Sequence, residues 1–164
     1  MPTEMSHLEQ ANHNHNLLAD LLPKVHQFPD WIATVAFYKA LHVVEAVFAC
    51  ENPSRHGTDH PDRDRCLKQT NRYSKIYQHY RPLTAASMVA RYMGQGHANF
   101  SAYMTPKQVF DNLISNDLHQ LERAATKFLK TPAVLVTVSS SAFSFPAPHV
   151  NPVFIPPVAN PNSS

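Results

Sequence analysis

Glycine is scarce in this chain, with three copies against fourteen prolines in 164 residues. No Gly-rich phosphate loop is present, so the P-loop and dinucleotide-binding classes are excluded: both need glycines for backbone to close on a phosphate. Cysteine is almost as rare. Cys50 and Cys66 have no CxxC spacing and fall in expected helices, so they read as thiols of a reducing compartment rather than as a disulfide. No GxSxG and no HExxH occurs. No apolar run reaches the roughly 18–20 residues of a membrane span uninterrupted. The nearest, residues 29–50, carries Lys39, His42 and Glu45. Residues 1–10 are polar with two glutamates, unlike a secretory leader. A cytoplasmic location with no membrane is therefore expected.

Charge is also missing where it might be expected: nothing beyond Lys130 is charged. The net charge of +2 hides an asymmetry. Residues 1–54 carry two lysines against six acids, net −4, whereas residues 55–91 carry eight cations against three aspartates, net +5. A basic middle third suits phosphate or nucleic-acid binding, and a solvated helical face would produce the same count.

What the chain does have is helical periodicity. The segment from Pro29 to about Cys50 is apolar on most sides, with Pro29 and Asp30 as helix-start signals. Tyr38, His42 and Glu45 fall at i, i+4 and i+7, so they form one polar stripe on it. Other helices are expected from Ser6 to about Leu22 and from a Thr58 or Asp59 cap through Leu67, the latter continuing toward His79 and ending at Pro82. A shorter helix is expected from about Thr84 to Met93. A last one starts at Thr105-Pro106 and carries Val109, Phe110, Leu113, Ile114, Leu118, Leu121, Ala125 and Phe128. The domain reading is a helical unit over residues 1–130 and an uncharged Pro/Ser/Asn-rich tail over 131–164. The tail holds seven of the fourteen prolines and is expected to be disordered, the second possibility being an extended segment docked on the bundle or on a protein partner.

Trp31, the run from Phe37 to His42, Glu45-Ala46, His60-Pro61-Asp62-Arg63, Tyr80, Leu83, Ser87 and Ala90-Arg91-Tyr92 together resemble a prokaryotic group of HEPN-like proteins. The resemblance covers about residues 28–130. It implies an all-α fold, an antiparallel bundle of four to five helices, often dimerised through helix faces. It also implies engagement of RNA or nucleotides, with metal-independent endoribonuclease activity in a defence or toxin–antitoxin setting as one form. The alternative is a non-catalytic protein-interaction module. Active nucleases of the family carry Arg, four to six residues, then His. Here that spacing occurs at Arg55–His60, Arg72–His79 and Arg91–His97, and none has the full Arg-polar-x-x-x-His context.

Metal-free RNA cleavage needs a base near the ribose hydroxyl, an acid for the leaving oxygen and a cation at the phosphorane. Histidine and arginine supply these. The candidates are His60, Arg63 and Arg55 at the third helix start, with His42 and Arg91 joining if the bundle brings them near. Arg63 and Arg91 are the candidate phosphate binders. The structural alternative makes Tyr38, His42, Glu45, Arg91 and Tyr92 a polar cluster in which Glu45 neutralises Arg91 and His42 bonds Tyr92 or backbone. Tyr73, Tyr77 and Tyr80, interleaved with Lys75 and Arg81, suit base stacking or a packing face. Eleven histidines raise the question of a metal. His56/His60 and His13/His15 are the sequence-adjacent pairs, but Gly57 interrupts the first, so no metal or cofactor is expected.

Overall fold

The computed structural model describes residues 2–92, 99–140 and 143–147, and all regular elements among them are helical. Helix α1 (Glu4–Leu21) starts at Thr3 rather than Ser6: the Thr3 hydroxyl accepts from the Ser6 amide at 3.2 Å, with Glu4 in the first turn. It tightens into a 3-10 turn, Leu22–Lys24, that accommodates Pro23. Helix α2 (Pro29–Ala49) has Pro29 at its first position and Asp30 in its first turn, as the sequence indicates. Helix α3 (His60–Gln69) is capped by Asp59, whose carboxylate accepts from the Asp62 amide at 2.7 Å.

The expected break at Pro82 does not occur. Helix α4 (Ser74–Arg91) runs through it. An interior proline removes one backbone hydrogen bond and crowds the preceding turn. Burial of Ile76, Tyr80, Leu83 and Ala86 on the same helix outweighs that, since each large side chain contributes roughly 1.5–3 kcal/mol. After α5 (Phe100–Tyr103), Thr105 and Gln108 form a reciprocal capping box at the start of α6 (Pro106–Gln108). A π-helical segment (Val109–Leu118) and α7 (His119–Ala125) follow without a gap, making one rod over residues 106–125. The i+5 winding puts Val109 with Ile114, and Leu113 with Leu118, on one buried face.

Four long rods thus pack antiparallel, with α2 in the centre against α1, α4 and the 106–125 rod. α2 is long and apolar enough to cross a membrane by length and composition, and 78% of its apolar window lies inside the bundle. Tyr73 and Tyr80 are buried and Tyr77 half-buried, so these tyrosines form a packing face rather than a stacking platform.

Residues 131–140 and 143–147 lie along the bundle, the docked alternative for that part of the tail. The Asn12 side chain donates to the Val134 carbonyl and accepts from the Val136 amide, both at 2.8 Å. Leu135 and Val138 are buried, and Val134–Val138 pairs as no strand. Residues 148–164, on which the rest of the tail reading falls, lie outside the described residues, as do Met93 and His97.

Candidate functional site: a buried histidine network and a basic groove

The polar stripe of α2 divides into two clusters. Glu45, 3% exposed, sits at the centre of the inner one. Its Oε1 accepts from Arg63 Nε at 2.5 Å, its Oε2 lies 3.2 Å from His56 Nδ1, and the Gly57 amide donates to both oxygens. Arg63 is 6% exposed, and its Nη1 reaches the Asp59 carbonyl and His60 Nδ1, each at 3.3 Å. Glycine at 57 suits a close approach: an added Cβ would stand 3.0 Å from Glu45 Oε1 and 3.1 Å from Arg63 Cβ, so one of these neighbours would have to give by a few tenths of an ångström. His7 of α1 completes the cluster. Its Nε2 is 3.2 Å from His56 Nδ1, and its Nδ1 is 3.2 Å from His42 Nδ1.

Burial sets the protonation here. It pushes the His7 imidazole down to about 4, with His42, His56 and Arg63 adding to the effect and Glu45 opposing it. His42 is also lowered by burial, against the pull of Glu45. Both rings are therefore neutral near pH 7.

The outer cluster is separate. Arg91 Nη1 donates to the Tyr38 hydroxyl at 3.1 Å, and its guanidinium lies over the Phe37, Tyr38 and Tyr92 rings. The expected Glu45–Arg91 pair is thus replaced by Glu45–Arg63. Tyr38 and Glu45 are seven residues, or about 10 Å of helix, apart. Arg91 at the C-terminal end of α4 meets the Tyr38 turn, while Arg63 in the first turn of α3 meets the Glu45 turn. His42 likewise bonds His7 rather than Tyr92. Tyr38, Arg91 and Tyr92 form one group and His42 and Glu45 another.

Of the catalytic candidates, His60 is exposed with its ring 5.4 Å from that of Phe37, and it is lowered by burial, then by Arg63 and Arg91. Arg63 is enclosed with Glu45. Arg55 points elsewhere, with Nε 3.0 Å from Glu51 and its guanidinium over Phe48. The structure therefore joins His60, Arg63 and, behind them, His42, while Arg55 stands apart.

Two features were not anticipated. Lys39 and Glu122, both fully buried, form an ion pair between α2 and α7. Burial raises the Glu122 carboxyl and lowers the Lys39 amine, each against the attraction of its partner. Lys39 also donates to the Val136 carbonyl at 3.0 Å, and the Val138 amide donates to Glu122 at 2.8 Å.

The second is a groove of about 290 Å³ between α4 and α7, lined by Arg72, Lys75, His79, Gln120, Arg123 and Lys127 with Ala124 and Phe128. Among the described residues no carboxylate lines it. Arg72 is tied to Glu51 at 2.9 Å, and His79 to Asp117 at 3.0 Å. Lys75, Arg123 and Lys127 are exposed and have no ion-pair partner among the described residues. Lys75 was visible in the sequence as part of the basic middle third. Arg123 on α7 and Lys127 in the turn just after it carry no sequence signal beyond their i, i+4 spacing.

Comparisons with protein-family models, with curated proteins and with solved structures find no match to this chain.

Proposed function

We propose that this protein binds RNA or a nucleotide through its phosphates, in the groove between α4 and α7. The observation that carries the reading is the convergence of Lys75, Arg123 and Lys127 on one concave surface that no carboxylate among the described residues lines. Three cations with no ion-pair partner among the described residues focus a positive potential in the cleft, and Phe128 offers an apolar wall beside them. Arg72 adds a guanidinium fork, partly neutralised by Glu51. The resemblance to HEPN-like proteins independently favours RNA or nucleotide as the ligand. The reading is binding rather than cleavage, because Arg63, although beside His60, has its charge neutralised by Glu45, and Arg55 is paired with Glu51.

The test is fluorescence anisotropy with a labelled single-stranded RNA oligonucleotide, repeated across salt concentrations. The wild-type protein should bind with a log–log salt slope of about −2, as three phosphate contacts on a single strand require. Arg123→Glu with Lys127→Glu should weaken binding at least about tenfold at low salt. Equal affinity of wild type and the double variant, with both folded, would sink the groove reading.

A further inference from the structure

We infer that His7, Glu45 and His56 form a binding site for one divalent transition-metal ion, Zn²⁺ by the chemistry of its donors. The three offer two imidazole nitrogens and one carboxylate oxygen, all within 4.8 Å of one another. They come from three separate parts of the chain: α1, α2 and the loop before α3. Two of the three spacings match a coordination shell, those of His56 to His7 and to Glu45, and the His7–Glu45 pair lies within 4.8 Å, so His7 closes on the ion by a small side-chain shift. Nitrogen and oxygen ligands about 2.0–2.1 Å from a tetrahedral zinc stand about 3.4 Å from each other. His7 Nε2 to His56 Nδ1 is 3.2 Å, and His56 Nδ1 to Glu45 Oε2 is 3.2 Å.

Hydrogen bonding alone serves these atoms poorly. His56 Nδ1 faces two partners at the same distance, and a ring nitrogen holds either one proton or one lone pair. It satisfies one partner well or shares a proton between two. A cation among the three atoms uses one lone pair from each.

The surroundings also hold the ligands in place. His7 Nδ1, the nitrogen away from the cluster, lies 3.2 Å from His42 Nδ1 and can donate its proton there. That fixes the tautomer that presents Nε2 to the metal. Glu45 Oε1 is held by Arg63 at 2.5 Å, and Oε2, which shares the Gly57 amide, faces His56 Nδ1. His7 and Glu45 are buried and His56 is half-buried, so the site is enclosed except on the loop side. Three protein donors leave the fourth position of a tetrahedral zinc to water. The guanidinium of Arg63 opposes a second positive charge nearby, which limits affinity without removing the donor set.

Binding would clip the loop and the N-terminal turns of α1 to α2, so the experiment has a stability readout. Tag-free protein freed of metal with a chelator is titrated with zinc sulfate against a chromophoric competitor, and its thermal midpoint is followed alongside. One Zn²⁺ per chain and a raised midpoint are expected. His7→Gln and His56→Gln, each checked for helicity by circular dichroism, should each weaken binding by at least about tenfold. His13→Gln, on the exposed side of α1, should bind as wild type does. The inference is overturned if folded wild-type protein takes up no zinc, or if His56→Gln retains wild-type affinity, which would place the ion on other histidines.

Discussion

His13 and His15 stand two positions apart on α1, about 200° of helix rotation, so one imidazole faces solvent and the other is 4% exposed. Burial pushes His15 down to about 4 from its ordinary 6.5, and the Lys39 charge adds to the effect. The unfolded chain binds a proton at His15 near pH 6.5 while the folded protein refuses one until about pH 4. The contribution of a neutral His15 is therefore intact above pH 6.5 and is lost progressively as the pH falls toward 4. The full loss is on the order of 3 kcal/mol. Urea midpoints should drop between pH 7 and pH 4.5, and His15→Leu should show a shallower drop by His15's share; equal slopes would show that His15 does not set this dependence. The i, i+2 spacing in the sequence already kept these two histidines off one face. Which of them lay inside depended on what α1 packs against.

At the scale of elements, α4 is where local propensity lost to packing. Pro82 signals a helix end in any single-sequence reading, yet helix continues nine residues beyond it because Leu83, Ala86 and Ser87 are buried against neighbours. Pro82→Ala should restore the missing backbone hydrogen bond and relieve the crowding, raising stability by about 1 kcal/mol in chemical denaturation. The gain is less than the full interior-proline penalty because the proline also restricts the unfolded chain. A loss of stability would mean that the half-buried ring packs better than the backbone suffers. Other elements were legible because their signals are contained in a few adjacent residues. Asp59 caps α3, and Thr105-Pro106 with Gln108 forms a capping box, as those residue types at those offsets direct. The π-helical winding of Val109–Leu118 was not legible, since its apolar stripe fits an ordinary helix almost as well.

For the molecule as a whole, the segment after Lys130 completes the core. It supplies the Val136 carbonyl to Lys39 and the Val138 amide to Glu122, and it buries Leu135 and Val138. A chain ending at Lys130 should therefore lose on the order of 3 kcal/mol or more, because a buried ion pair stripped of its surrounding hydrogen bonds is costly. Equilibrium unfolding would measure this, and Asn12→Ala should show a smaller loss of about 1–2 kcal/mol from its two hydrogen bonds to the segment. Unchanged stability of the shortened chain would show that the docked segment is ornamental. The sequence by itself determined that the chain is helical, where most helices begin, and that α2 is enclosed with a polar stripe. Those features follow from periodicity and capping, which act over one or two turns. Only the tertiary structure decided that Glu45 holds Arg63 rather than Arg91, that His7 joins His42 and His56, and that Lys75 shares a groove with Arg123 and Lys127. Each of these pairs residues 18 to 52 positions apart. Their meeting depends on how far each helix is rotated and slid against its neighbour, which the summed packing of the core fixes and no short stretch of sequence encodes.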